Sequence, residues 1–249
     1  MTTLDRRRPD GTFSANDTVT HAVIEDLVTA NRILAGEGVL DAFGHISVRD
    51  PHDPGAFFLS RSRSPELVET RDIMRFDLEG NVLEGEGKPY LERVLHAAIL
   101  AARPDVNSVV HHHAPSVLPF AVADVALRPV FHLGAVMGTQ VPVWDSQDGF
   151  NDTSLLVSDL DMARSLAQTL GAEPSCLLAR HGAVCAGPDI RQAVFIAICM
   201  RDNAEVLMNA LRLGTPSYLT AGEIRQAAAK HDGGAPVARA WEYWARRCS

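Results

Sequence analysis

The segment NSVVHHHAP, residues 107–115, decides how this chain is organised. Its apolar start predicts a strand anchored in a hydrophobic core, and the closing proline marks the end of that strand. Because side chains alternate faces along a strand, His111 and His113 point to one side and His112 to the other. Two imidazoles on one strand face can bind a single cation, so the segment predicts part of a metal site.

The patterns around this segment predict strands interleaved with helices, which favours one α/β domain. An amphipathic helix ends at Gly36, and a later helix begins near Pro89. Two more helices are predicted from Asp159 to Leu170 and from Asp189 to about Leu213. Predicted strands cover residues 45–49, 57–59, 73–78, 82–83, 107–113, 177–179 and 183–185, with short strand-like runs within 130–143.

Composition narrows the class of protein and of partner. The chain has 249 residues and a formal net charge of −8, and residues 1–17 are a predicted flexible arm before a single domain at 18–249. An acidic surface attracts neither nucleic acid nor an anionic membrane. No stretch is apolar enough to span a bilayer, and four cysteines without CxxC spacing are typical of free thiols. We therefore expect a cytoplasmic protein without nucleic-acid or membrane partners.

Two further groups strengthen the predicted metal site. Glu92 and His96 are four residues apart on a predicted helix, so they share a face. His181 lies in a glycine-flanked bend between two apolar strands. Three histidines with a nearby carboxylate and one open position suit Zn²⁺ or another borderline divalent ion. We expect His111, His113 and His181 to share the ion, with His96 packed behind them; the alternative is a histidine cluster without metal.

Four motifs in this order and spacing resemble the class II aldolase/adducin family. They are GHISVR at 44–49, Glu92 followed by LH at 95–96, VVHHH at 109–113 and LLARHG at 177–182. The segment 188–193 also resembles the helix start that follows the last histidine in this family. Because the resemblance runs from about residue 20 to residue 220, it covers nearly the whole chain.

This resemblance implies a three-layer α/β/α fold around a central, mostly antiparallel sheet, and a homotetramer with active sites between subunits. It implies that His111, His113 and His181 bind a divalent metal ion, for which Zn²⁺, Mn²⁺ and Co²⁺ are the candidates. Glu92 would be the acid/base carboxylate and would contact the ion when no substrate is present. The adducin branch lacks the metal histidines, whereas this chain keeps all three, which disfavours a non-catalytic role.

Departures from the family pattern point to the substrate. Aldolases of the family bind a sugar phosphate with small polar residues and glycines, but this chain has GHIS at 44–47, LSRSRS at 59–64 and YLE at 90–92. These positions therefore carry bulkier or cationic groups, and guanidinium groups match carboxylates in two-point fashion. The predicted substrate-binding residues are His45, Ser47, Arg49, Ser60, Arg61 and Arg63.

Two residues outside these motifs are further candidates. His132 is a candidate for a second acid/base or carboxylate-binding group. Tyr218 follows the long helix, and a tyrosine there can reach the site of a neighbouring subunit. For both residues a packing role is the alternative.

These features resemble the branch that decarboxylates hydroxylated aromatic or pyridine dicarboxylates. A cation that chelates a hydroxyl or carbonyl oxygen stabilises the enolate-like anion left when a C–C bond breaks, whether an aldehyde or CO₂ departs. Glu92 would then protonate the carbanion carbon. We thus predict a lyase of aromatic catabolism with a small carboxylate substrate. The alternatives are an aldolase or epimerase for a sugar or sugar phosphate, and an adducin-like interaction module without catalysis.

Overall fold

The computed structural model describes residues 15–248. Most of the predicted arm at 1–17 therefore lies outside the described residues, and the first helix begins at Ala15. The helices are α1 (Ala15–Gly36), α2 (Arg93–Ala102), α3 (Leu118–Val122), α4 (Gln147–Phe150), α5 (Leu160–Leu170), α6 (Ile190–Leu213), α7 (Ala221–Ala228) and α8 (Gly234–Arg247). Among the described residues, no helix combines the length and apolarity needed to cross a bilayer.

One eight-stranded sheet runs through the centre of the molecule. Its strands are β1 (His45–Asp50), β2 (Asp53–Ser60), β3 (Ile73–Asp77), β4 (Val82–Glu84), β5 (Ser108–His112), β6 (Val143–Trp144), β7 (Ser175–Leu178) and β8 (Gly182–Gly187). In space their order is β4-β3-β2-β1-β5-β8-β7-β6. Only β6 and β7 pair in parallel, so the sheet is mostly antiparallel, as predicted.

Two hydrophobic cores cover the two faces of this sheet. One contains the buried sides of α1, α6 and α8 together with Ile46, Val48 and Val110. The other contains the buried sides of α2 and α5 together with Val109. Alternation along β1 therefore turns His45 toward the layer of α2 and α5. The predicted three-layer α/β/α fold is confirmed, and the site lies on the side of α2 and α5.

The local predictions also fared well, with one exception. Asp159 caps α5 and Asp189 caps α6, each by accepting backbone N–H bonds, and Gly171 ends α5 with φ 55°. The strand-like runs within 130–143, however, became a 3₁₀ helix at His132–Met137 and the two-residue β6. The reason is a buried side chain: Asn203 binds this segment, accepting from the Val130 N–H at 2.9 Å in place of a neighbouring strand.

Candidate metal centre

The two faces of β5 differ as the alternation of its histidines predicts. Nε2 of His111 lies 3.1 Å from Nε2 of His113, which directly follows the strand. His112 points to the opposite face, where it is fully buried and its Nε2 lies 3.8 Å from the sulfur of Cys185. Neighbouring histidines thus have different surroundings, and only His111 and His113 face one another.

The bend between β7 and β8 brings His181 to the same place. Arg180 adopts a left-handed backbone with φ 61°, and its guanidinium is held by Asp145 at 2.5 Å. Gly182 packs directly against β5, because a Cβ there would lie only 2.4 Å from the carbonyl oxygen of His112. This close approach sets the His181 ring parallel to that of His113, with ring centroids 5.2 Å apart.

Glu92 joins the three histidines from the start of α2. Its Oε2 lies 3.6 Å from Nε2 of His111 and 3.7 Å from Nε2 of His181. Its Oε1 accepts a hydrogen bond from the Val157 N–H at 2.9 Å. The carboxylate therefore presents one oxygen to the histidines and keeps the other bound to the backbone.

The helix that was predicted to carry both Glu92 and His96 begins at Arg93, so Glu92 directly precedes it. Both side chains nevertheless lie beside His45, since ligand atoms of Glu92 and His45 are within 4.8 Å of each other. His96 lies under the sheet, where its ring nitrogens lie 2.7 Å from Nδ1 of His45 and 2.7 Å from the hydroxyl of Ser47. His96 thus packs behind His45, as the expected supporting role requires.

Two contacts behind the histidines fix which nitrogen of each ring faces the cluster. Nδ1 of His111 lies 3.1 Å from the carbonyl of Ala183, and because a carbonyl only accepts, that nitrogen carries the proton. Nδ1 of His113 lies 3.3 Å from Asp41. In each ring Nε2 is left with a lone pair toward the cluster, which is the arrangement that outer carboxylates and carbonyls give to metal-binding histidines.

The donor set fits a divalent metal ion. Ligand atoms of His111, His113 and His181 all lie within 4.8 Å of one another, as do those of His45, Glu92 and His111. Burial lowers the pKa of His111 well below its usual value, and neighbouring histidines add to this effect. Burial and then His113 lower the pKa of His181 to about 4, against a smaller opposing effect of the Leu155 backbone. His111 and His181 are therefore neutral near pH 7, which is the form that binds metals.

The same environment acts on Glu92 in the opposite direction. Burial raises the pKa of Glu92 to about 7, although the hydrogen bond from Val157 opposes the shift. Desolvation disfavours the charged form of any carboxyl group. A carboxyl group with such a pKa can both release and accept a proton at neutral pH, which suits acid/base catalysis.

A cleft of about 510 Å³ opens beside these residues. His45, His113 and His181 lie at its inner end together with Glu92. Its outer walls carry apolar side chains that are well exposed: Phe43, Leu91 and Leu156. The remaining lining residues are Ala42, Ser62, Arg63, Ser64 and Tyr90. The cleft is thus polar where the donors converge and apolar toward solvent.

The arginines predicted to bind substrate are largely paired within the chain. Arg61 Nε and Arg63 Nη1 each lie 2.6 Å from a different oxygen of Asp72, whose side chain is buried. Arg63 also approaches Glu69 at 3.5 Å and still lines the cleft. Asp72 thus pairs with both guanidinium groups through one nitrogen of each, and a substrate-binding role of Arg61 and Arg63 stays a prediction.

Three other predicted binding residues lie away from the cleft surface. Ser47 and Ser60 are fully buried in the sheet and do not line the cleft; the Ser47 hydroxyl contacts Nδ1 of His96. Arg49 is four residues beyond His45 on β1, where its guanidinium donates to the carbonyls of Pro54, Leu100, Arg103 and Val106 and to the side chain of Asn107. The prediction that Arg49 binds substrate is not supported, because those backbone acceptors already engage it.

Neither His132 nor Tyr218 is among the residues that line the cleft of the described chain. The His132 ring lies 5.7 Å from that of His231, beside α7. The Tyr218 ring lies under the guanidinium of Arg128 at 4.1 Å. An acid/base or carboxylate-binding role for His132 and a reach of Tyr218 into a neighbouring subunit's site both stay predictions.

Sequence reasoning missed Asp41 and Val157. Asp41 accepts hydrogen bonds from the backbone of Phe43 and Gly44 in addition to its contact with His113. The signal for Asp41 was its position three residues before the first glycine of the GHIS motif, where a carboxylate can organise the turn. Val157 acts through its backbone N–H, which no side-chain motif reveals.

The fold and the donor set together define a class: an α/β/α domain with a cluster of three histidines and one carboxylate at the ends of central strands of the sheet. The model of the family described as "Class II Aldolase and Adducin N-terminal domain" matches residues 25–208. The chain belongs to this family. The predicted resemblance is thereby confirmed over most of the chain.

Relatives of known activity include decarboxylases and aldolases. "Decarboxylase tropJ" of Talaromyces stipitatus is 29% identical over 248 residues, covering 90% of this chain and 92% of that protein. The 3,4-dihydroxyphthalate decarboxylase of Arthrobacter keyseri is 34% identical, covering 72% and 75%. The 5-methylthioribulose-1-phosphate/5-deoxyribulose-1-phosphate aldolase of Rhodospirillum rubrum is 30% identical, covering 64% and 68%. These relatives are lyases of both kinds.

A solved structure supports the architecture. The L-fuculose 1-phosphate aldolase from Glaciozyma antarctica PI12 superimposes with a TM-score of 0.79 and covers 95% of this chain and 92% of its own. The two sequences are 21% identical. At that identity the likeness shows the shared fold alone.

Proposed function

We propose that this chain is a divalent-metal-dependent carbon–carbon lyase that decarboxylates a hydroxylated aromatic or heteroaromatic acid. His111, His113 and His181 would hold the ion, which we expect to be Zn²⁺, Mn²⁺ or Co²⁺, and Glu92 would contact it in the absence of substrate. The relatives that are decarboxylases by name support this choice between the two lyase chemistries. We expect the assembly to be a homotetramer with its sites at subunit contacts.

The single observation that carries the proposal is the chemistry of the cleft. Its outer wall offers Phe43, Leu91 and Leu156, which suit the faces of a flat apolar ring. The cation that lines it, Arg63, is already paired with Asp72, so a phosphate dianion would find little unpaired positive charge there. A hydroxylated ring acid needs less charge compensation, because the metal ion itself would bind its oxygens.

The chemistry follows from where each group lies. When bound, the cation supplies Lewis acidity that stabilises negative charge developing beside the breaking bond. Glu92 can then donate its proton to the ring carbon that retains the electron pair of the broken bond, while the carboxylate departs as CO₂. Glu92 regains a proton from solvent, so the net reaction consumes one proton. Burial raises the pKa of Glu92, which favours the protonated form that this step needs.

A substrate panel tests the proposal. Protein loaded separately with Zn²⁺, Mn²⁺ and Co²⁺ is incubated with hydroxyaryl mono- and dicarboxylates and with phosphorylated ketoses, and both CO₂ and aldehyde are measured. We expect CO₂ from at least one hydroxyaryl carboxylate and no aldehyde from the sugars. Aldehyde from a ketose phosphate, with no CO₂ from any acid, would overturn the proposal in favour of an aldolase.

A matched pair of variants sharpens the same test. Phe43→Ala removes the exposed ring from the cleft wall, whereas Tyr243→Ala removes an exposed ring from α8. We expect Phe43→Ala to raise KM for the aromatic acid about tenfold with bound metal unchanged, and Tyr243→Ala to leave KM unchanged. An unchanged KM in Phe43→Ala would remove the apolar wall as an argument for an aromatic substrate.

A further inference from the structure

The described residues include three non-glycine positions with positive φ. They are Asn151 with φ 58°, Leu155 with φ 66° and Arg180 with φ 61°. Asn151 ends the short helix α4 with ψ −147°, whereas Leu155 precedes Leu156 of the cleft wall and Arg180 precedes His181. Leucine rarely adopts positive φ. Such a conformation persists only where its surroundings fix it, and it is common at functional sites. The contacts that hold Leu155 at positive φ are therefore the ones to identify.

Contacts on both sides of Leu155 hold the segment 153–157 in place. On one side, the Leu155 N–H donates to the hydroxyl of Thr153 at 3.0 Å, and that hydroxyl lies 3.0 Å from the hydroxyl of Ser146. On the other side, the side chain of Val157 is fully buried in the core of α2 and α5. The chain thus has two fixed points, and the left-handed residue lies between them.

The conformation between these fixed points serves the metal centre in two ways. It turns the Val157 N–H toward Oε1 of Glu92, where the two atoms lie 2.9 Å apart. It also places Leu156 in the cleft wall, directly between the strained residue and the donor. One short segment therefore contacts the acid/base carboxylate and lines the cleft.

We propose that residues 153–157 form a strained clamp in which left-handed Leu155 aims the Val157 N–H at Glu92 and holds that carboxylate toward the histidines. This inference rests on the proposed function, because it assigns the clamp to the positioning of Glu92. Leu155 and Val157 are positioning residues, since they act through Glu92. With one oxygen bound to the clamp, the carboxyl group cannot swing away from the reacting carbon.

Substitutions at Leu155 test the clamp by changing its backbone preference. Proline cannot adopt positive φ, so Leu155→Pro must break the turn. We expect kcat to fall about a hundredfold with KM and bound metal nearly unchanged, because a misplaced catalytic group acts chiefly on the chemical step. Leu155→Asn favours the left-handed conformation and should keep kcat within about threefold of the parent.

The control and a readout independent of activity come from the same loop. Asn151→Pro breaks the neighbouring residue of positive φ, which has no hydrogen bond to Glu92, and should keep kcat within about threefold. Hydrogen exchange of the Val157 amide reports the clamp directly: we expect it to accelerate at least about tenfold in Leu155→Pro and not in Asn151→Pro. If Leu155→Pro does not fold, Leu155→Val, which disfavours positive φ more mildly, takes its place in both measurements.

Glu92→Gln separates failure of the clamp from failure of the proposed function. If Glu92→Gln abolishes turnover while Leu155→Pro leaves both kcat and Val157 exchange unchanged, the clamp is wrong and the acid/base role stands. If Glu92→Gln retains full turnover, Glu92 is not the acid/base group, whatever the kcat of Leu155→Pro. Equal loss of kcat in Leu155→Pro and Asn151→Pro would also overturn the clamp, because general disruption of the loop would then explain it.

Discussion

Two clusters of ionisable groups lie beside the same cleft, and they are built in opposite ways. Around Asp72, the guanidinium groups of Arg61 and Arg63 meet two carboxylates, those of Asp72 and Glu69, so the charges compensate one another within the chain. Around Glu92, the imidazoles of His111 and His181 approach one carboxylate, and burial lowers the pKa of both histidines. We call the first cluster complete, because its charges balance within the chain, and the second incomplete, because its imidazole nitrogens and carboxylate form the donor set of a cation site.

Whether the charges of a cluster are balanced within the chain distinguishes structural residues from functional ones better than the residue type does. Arginines near a cleft invite a substrate-binding role, yet a buried carboxylate with two guanidinium partners is a means of folding the segment 61–72. Histidines of low pKa in a buried cluster gain nothing from one another by charge. Their convergence is costly unless something binds between them. The incomplete cluster is therefore the one we assign to the metal.

The largest expected effect tests this assignment. His113→Ala removes one lone pair from the incomplete cluster, and we expect loss of tightly bound metal and turnover below about one part in a thousand. His112→Ala, one residue away on the opposite face of β5, should keep the ion, although the cavity it leaves will lower the free energy of unfolding. Elemental analysis after dialysis, with activity measured on the same samples, checks both.

The pair of variants is decisive because the two histidines are adjacent and of one type. Equal metal loss in both would contradict the assignment by strand face. Full metal content in His113→Ala would mean that His113 is not a ligand, and the assignment of the metal to the histidine cluster would then be wrong.

The sequence predicted the parts of the fold that depend on local patterns. Alternation along β5, the caps at Asp159 and Asp189 and the bend at His181 are all properties of neighbouring residues, and the structure has each of them. The metal donors came together for the same reason, since two of them lie on one strand and the third lies at a bend on an adjoining strand.

The predictions that failed concern residues whose partners are distant in the chain. The Arg49 guanidinium donates to carbonyls more than fifty residues away, such as that of Leu100, and no local sequence pattern predicts these contacts. The segment 130–143 is held by Asn203, which lies 73 residues beyond Val130. Glu92 shows a third limit: the helix begins at Arg93 and not near Pro89, so Glu92 precedes the helix that was predicted to contain it. Its place at the centre survived because the structure of the preceding turn, not the helix, puts it there.

A smaller effect is expected from the contact behind His113. Asp41→Asn keeps the size of the side chain but removes the charge that faces Nδ1 of His113. Because outer carboxylates orient metal-binding histidines and raise their basicity, we expect metal affinity to fall about 10- to 100-fold. Competition with a chelator of known affinity measures this. Saturating metal should restore most of the turnover, and failure to do so would mean that Asp41 acts on the loop at Phe43 more than on the ion.

The smallest effect on turnover is expected in the complete cluster. Asp72→Asn leaves Arg61 and Arg63 without their shared carboxylate, and we expect the free energy of unfolding to fall by about 1–3 kcal/mol, with kcat for saturating substrate nearly unchanged. Glu69→Gln, which removes the more distant and more exposed partner of Arg63, should cost less than about 1 kcal/mol. Denaturant titration of both variants measures the two losses.

The pH dependence of the stability lost in Asp72→Asn tests whether the charge of Asp72 is the cause. Burial alone would raise the pKa of Asp72, but the Glu69 backbone N–H and the two guanidinium groups outweigh it and lower the pKa below its usual value. A carboxyl group with a lowered pKa in the folded state stabilises the protein above its unfolded pKa of about 3.9, and this stabilisation is lost as the pH falls through the lower folded value. The difference in stability between the parent and Asp72→Asn should therefore be constant from about pH 5 upward and shrink in acid. If the difference in free energy of unfolding did not shrink at the lowest pH, packing of the Asp72 side chain, and not its charge, would be the cause of the stabilisation.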